Sequence, residues 1–98
     1  MRRSNYERVK KEQLLELGFE YAIFDGERCL LLCLNKGEDR FRHQVRWYEE
    51  EPEVFYIDCL KTSGWRTVDE DDFFADTNGL SSNAVKHYKE ILKRLNRW

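Results

Sequence analysis

Apolar residues recur along this chain at two spacings, and the spacing separates strands from helices. From Phe19 to Leu34 the run FEYAIFDGERCLLLCL is broken only at Asp25-Gly26, a pair that favours a two-residue type I′ hairpin turn. Closing that turn sets Ile23 opposite Arg28, Ala22 opposite Cys29, Tyr21 opposite Leu30 and Phe19 opposite Leu32. Strand side chains alternate with period two, so Phe19, Tyr21 and Ile23 share a face with Leu30, Leu32 and Leu34. The other face takes Glu20, Ala22, Cys29, Leu31 and Cys33. The second strand is therefore apolar on both sides and belongs inside a sheet. Arg40 to Tyr48 alternates strictly, with Phe41, His43, Val45 and Trp47 on one side and Arg40, Arg42, Gln44, Arg46 and Tyr48 on the other. Val54 to Leu60 is apolar at nearly every position except Asp58. The short acidic connection Glu49-Glu50-Glu51-Pro52-Glu53 makes it an antiparallel partner of the strand before. After the turn Thr62-Ser63-Gly64, Trp65 to Val68 predicts a short fifth strand.

Helical spacing governs the rest. Ser4 and Glu7 have capping-box spacing, and a helix from there to about Leu17 would end with Gly18 at C′. Tyr6, Val9, Leu14 and Leu17 fall on one side of it, interrupted by Lys10 and Gln13. Thr67 and Glu70 repeat the capping-box spacing. They predict a short helix with Asp69 to Asp72 in its first turn, Phe73 and Phe74 as anchors, and a break at Asp76-Thr77-Asn78-Gly79. The last helix runs from about Ser82 to the end, capped by Ser81, Ser82 or Asn83. Ala84, Val85, Tyr88, Ile91, Leu92, Leu95 and Trp98 form its apolar stripe, and Lys86, Lys89, Lys93 and Arg97 lie opposite. The expected class is α+β, with a four- to five-stranded antiparallel sheet of hairpins. An N-terminal helix, a short acidic helix and a long C-terminal amphipathic helix pack on it. With 98 residues, no Gly/Ser linker and no internal repeat, residues 1–98 are expected to form one globular domain.

Composition adds a globular expectation, since 41% hydrophobic and 14% aromatic residues outweigh the disordering effect of 37% charged ones. No apolar stretch is long enough to span a bilayer, and none follows Arg2 and Arg3 as a secretory leader would, so a membrane role is not expected. Cys29, Cys33 and Cys59 are odd in number and lie in strands. They read as reduced thiols of a cytoplasmic protein.

Charge changes the picture more. The net charge of −2 conceals residues 49–78, with ten acidic and two basic side chains, and residues 79–98, with five basic and one acidic. Metal chemistry does not follow from the acids or thiols. Cys29 and Cys33 sit about 13 Å apart along one strand, too far to share a zinc ion. Aligning Gly79 with the glycine of a calcium loop puts Phe74 and Val85 at its acidic positions. Asp58 and Lys61 echo the acid-and-lysine pattern of metal-dependent nucleases, but alternation sends them to opposite faces. His43 lies on the apolar side of its strand, and the five glycines are isolated, so no phosphate-cradling loop is formed. No catalytic residue, metal or cofactor is assigned.

Two surfaces remain. The acidic block is interleaved with aromatic residues and suits a larger, basic or nucleic-acid-handling protein partner. Its contact residues are expected to be Glu49, Glu50, Glu51, Glu53, Trp65, Asp69, Asp71 and Asp72. The reading is a small non-catalytic intracellular protein that regulates or inhibits that partner. The alternative is a nucleic-acid-binding module, with Arg40, Arg42, Arg46 and Tyr48 on a sheet face and Lys86, Lys89, Lys93 and Arg97 on the last helix. A free strand edge or the Trp98 end would serve a symmetric dimer.

Overall fold

The structure is a computed structural model and describes residues 8–34, 42–75 and 82–98. Its elements are α1 (Lys11–Glu16), β1 (Glu20–Phe24), β2 (Glu27–Cys33), β3 (His43–Trp47), β4 (Phe55–Lys61), β5 (Gly64–Val68), α2 (Glu70–Phe74) and α3 (Ser82–Arg94). The strands form a five-stranded antiparallel meander in the order β1-β2-β3-β4-β5, and the class is α+β. Asp25 at φ 55° and Gly26 at φ 82° make the predicted left-handed turn, and the register pairs Tyr21 with Leu30, Ala22 with Cys29 and Ile23 with Arg28. β2 lies between β1 and β3, which suits a strand apolar on both sides.

One hydrophobic cluster joins the helices to a single face of the sheet. Leu30, Val45, Trp47 and Ile57 supply the sheet's share, and Leu14 of α1, Phe73 of α2 and Ala84, Tyr88, Ile91 and Leu92 of α3 cover it. Burying each large side chain contributes about 1.5–3 kcal/mol before conformational entropy is counted. Trp47 is fully buried, and its indole N–H donates to the Pro52 carbonyl at 3.0 Å, which ties the β3–β4 connection to the core. His87 Nδ1 donates to the Leu34 carbonyl at 2.7 Å and fixes α3 against the end of β2.

Several expectations are corrected. Tyr21 and Ile23 share the parity of Leu30 but are 69% and 71% exposed, because β1 is the sheet edge and the helices do not reach over it. The first helix does not run through Lys10, which is extended at φ −114° and ψ 146°; its N–H donates to Gln13 Oε1 at 2.9 Å. Ser4 to Glu7 lie outside the described residues. At the far end of α1, Gly18 is at φ 105°. The Phe19 N–H reaches the Leu14 carbonyl and the Gly18 N–H reaches that of Leu15, a Schellman closure with Phe19 and Leu14 both buried. The capping box of Thr67 with Glu70 does not form. Thr67 is still in β5, Asp69 is the N-cap, and Glu70 accepts a hydrogen bond from the Tyr88 hydroxyl. The loop Asp76 to Gly79 and the cap candidate Ser81 lie outside the described residues. α3 does not run to the end of the chain. Asn96 at φ 60° closes it with bonds from Asn96 N–H to the Lys93 carbonyl and from Arg97 N–H to that of Leu92, so Trp98 leaves the stripe and packs at a tilt, 5.2 Å from Phe74.

Candidate functional site

The sheet face turned away from the helices carries a polar network that begins with Asp58, the one carboxylate in β4. Register sets Gln44 and Thr67 directly across from it on β3 and β5, while Arg46 stands opposite Tyr56, one step along the same face. Asp58 is fully buried. It accepts from Arg46 Nε at 2.5 Å and Nη2 at 2.9 Å, from Gln44 Nε2 at 2.8 Å and from the Thr67 hydroxyl at 2.8 Å. Burial alone would raise the Asp58 pKa, but these four donors outweigh it and hold the carboxyl below its ordinary range. Burial would likewise lower the Arg46 pKa, and its bonds to Asp58 and Tyr48 raise it instead. Arg46 Nη1 donates to the Tyr48 hydroxyl at 2.7 Å, and its guanidinium lies 4.2 Å from the Phe24 ring and 5.0 Å from that of Tyr56. The arginine is thus enclosed by aromatic rings and spent on one carboxylate.

Above this network lies a cleft of 470 Å³, with Arg46, Tyr48 and Tyr56 at its base and Glu27, Arg28, Glu50 and Glu51 on its rim. Tyr48 and Tyr56 meet edge to face at 5.8 Å, and the Tyr56 hydroxyl donates to Glu51 at 2.7 Å, which raises the phenol's pKa. Topology explains why the rim is mostly acidic. A meander returns to the same end at every second turn, so the β1–β2 turn, the β3–β4 turn and the exit of β5 into α2 lie together. Asp25 and Glu27 come from the first, Glu49, Glu50, Glu51 and Glu53 from the second, and Asp69, Glu70, Asp71 and Asp72 from the third.

Of the expected contact residues, Glu49, Glu50, Glu51, Glu53, Asp69, Asp71 and Asp72 are exposed at this end. Glu49 lies 3.8 Å from Lys11, and Glu53 accepts from Arg97 at 3.0 Å. Trp65 does not belong with them. It pairs with Leu60, five residues along β4 from Phe55 and so about 16 Å from the acidic turn. The residues that sequence reasoning did not place at this site are Glu27 and Asp58, whereas Tyr56 was expected among the aromatic residues of the acidic block. A lone carboxylate in an apolar strand needs a buried partner, and the shared parity of Gln44 and Arg46 was the signal for it.

The residues of the nucleic-acid alternative are separated. α3 covers the core face, so its basic side and the arginine-bearing face lie on opposite sides of the molecule. Arg42 is exposed, whereas Arg46 is buried against Asp58, which corrects its expected place on a free surface; Arg40 lies outside the described residues. Lys86 is exposed, Lys89 Nζ lies 5.3 Å from the Trp98 ring, Lys93 is 3.9 Å from Glu90, and Arg97 is held by Glu53. Among the described residues no helix is long and apolar enough to cross a membrane. Nor do three His, Cys, Asp or Glu side chains gather there in a way that could hold a metal ion. Compared with protein-family models, with curated proteins and with solved structures, the chain matches none of them.

Proposed function

We propose that this is a non-catalytic binding protein that regulates or inhibits a larger, basic protein partner through its acidic end. The observation that carries the reading is the cleft where Glu27, Glu50 and Glu51, beside Tyr48 and Tyr56, outnumber Arg28, while Arg46 is neutralised by Asp58. Carboxylates around aromatic faces suit a lysine or arginine side chain, with charge on the rim and a ring for the aliphatic stem or the guanidinium. Asp58 supports the site by holding Arg46, and Arg46 in turn orients Tyr48. The partner would insert a basic side chain here and meet the remaining acids of the three turns around it.

The test is a fluorescence titration, following the tryptophans, with a lysine- and arginine-rich peptide, and in parallel with mixed-sequence duplex DNA and single-stranded RNA. The peptide is expected to bind, and the variant Glu27→Lys/Glu50→Lys/Asp71→Lys to lose that binding while keeping its fold. Nucleic acid is expected not to bind even at low salt. Tight nucleic-acid binding with a steep negative salt slope would overturn the proposal in favour of a phosphate-binding role.

A further inference from the structure

The edge of the sheet at β1 carries a second surface that the acidic cleft does not use. Among the described residues nothing pairs with the outer side of this strand, and it lacks the lysine, proline or bulge that commonly protects an edge. Its two most exposed apolar side chains, Tyr21 and Ile23, stand on the same face, 69% and 71% exposed.

Turn geometry decides which backbone groups face outward. The two-residue turn makes Phe24 and Glu27 a hydrogen-bonded pair, and alternation makes Ala22 with Cys29 and Glu20 with Leu31 the next two. The N–H and C=O groups of Tyr21 and Ile23 therefore point away from β2, into the open edge. In an antiparallel two-fold pairing centred on Ala22, Ala22 meets its own counterpart at a narrow position that suits a methyl group. Tyr21 of each copy then stands opposite Ile23 of the other. Those two pairs exchange four backbone hydrogen bonds through the groups that face outward, and each joins an aromatic to a β-branched side chain, a favourable cross-strand combination.

We infer that β1 is a homodimerisation strand, and that two copies of this chain join edge to edge into a continuous ten-stranded sheet. Charge agrees with this occupant. The two-fold axis places the acidic ends of the two copies at opposite ends of the seam, away from each other. Among the described residues β5 forms the other unpaired edge, and it is a poor competitor. Centring β5 on its middle residue would set Arg66 against Arg66, and like charges directly opposite destabilise a pair. The isologous contact also closes, because each copy uses up its β1 edge.

Sedimentation over a concentration series is expected to show a reversible monomer–dimer equilibrium for the unaltered chain. The double variant Tyr21→Lys/Ile23→Lys should raise the dissociation constant by at least about a hundredfold, since it sets lysine opposite lysine twice per dimer. Both positions are exposed, so circular dichroism should show an unchanged fold. Mixing that variant with Tyr21→Glu/Ile23→Glu should restore a dimer of one copy of each, because the register pairs position 21 with position 23. A monomer at every concentration, a dimer indifferent to the lysines, or a mixture that stays monomeric would each overturn the inference.

Discussion

Asp58 shows how much one side chain can determine about its surroundings. A fully buried carboxylate is tolerated because four donors, two from Arg46 and one each from Gln44 and Thr67, satisfy it. Asp58→Asn removes the charge that Arg46 needs and leaves a cation largely out of water. We expect a loss of about 3 kcal/mol, read as a lower urea midpoint with an unchanged denaturant slope. An unchanged midpoint would mean that Arg46 finds water or another acceptor. The pH dependence follows from the sign of the shift. The folded pKa of Asp58 is depressed, so its contribution is fully present above the unfolded value of about 3.9 and is lost as pH falls through the folded value. The stability gap between the protein and Asp58→Asn should therefore be widest near neutrality and should narrow below about pH 4. A gap that stayed constant down to acid pH would exclude this cause. Tyr88 is a contrasting case: burial and its bond to Glu70 push its pKa far up, so its hydroxyl stays neutral and serves as a donor that ties α3 to α2.

At the scale of elements, the ends are better defined than the lengths. α1 has six residues, too few to be stable in isolation, so its packing through Leu14 and its closure at Gly18 sustain it. Gly18 is at φ 105°, where a Cβ is strained although the nearest side-chain atom, on Leu32, would be a tolerable 3.6 Å away. Gly18→Ala should accordingly cost about 1–2 kcal/mol, whereas Asn96→Gly, at φ 60°, should be neutral or stabilising by up to about 1 kcal/mol. Thermal or urea unfolding of both variants checks the opposite signs. Equal effects would show that backbone strain is not what distinguishes the two closures. Much of this level was legible in the residues. Asp25-Gly26 set the hairpin register, Gly18 marked a helix end, and the stripe from Ala84 to Leu95 marked the face of α3. The Thr67–Glu70 spacing misled because Thr67 had a stronger use, as a donor to Asp58 across the sheet.

Across the whole molecule, the arrangement of charge follows from the meander. Acids spread over three segments of the chain collect at one end because alternate turns share it. A concentrated field of this kind acts chiefly on the rate of encounter with a basic partner. Reversing Glu27, Glu50 and Asp71 should slow association by roughly tenfold or more at low ionic strength, with the difference shrinking as salt rises past about 0.15 M, where screening acts within about 8 Å. Stopped-flow measurement with the basic peptide reads this directly, and a salt-independent rate would remove steering from the account. The same segregation leaves the β1 edge almost uncharged, which is why an edge pairing and an acidic contact can coexist on one small sheet.

What the sequence determined by itself is what short-range physics decides. Period-two and helical spacing set the kinds of element, turn chemistry set the first hairpin's register, and a strand apolar on both faces took an interior place. Tertiary structure alone decided the rest. The reach of α1, α2 and α3 left Tyr21 and Ile23 in water, although their parity matched the core. The register across the seven residues between Trp47 and Phe55 chose Arg46 as the partner of Asp58, and so turned an apparent phosphate-binding arginine into a buried counter-ion. The physical reason is the same in both cases. Alternation states which side a residue faces, but burial and pairing depend on what the fold brings above and beside it.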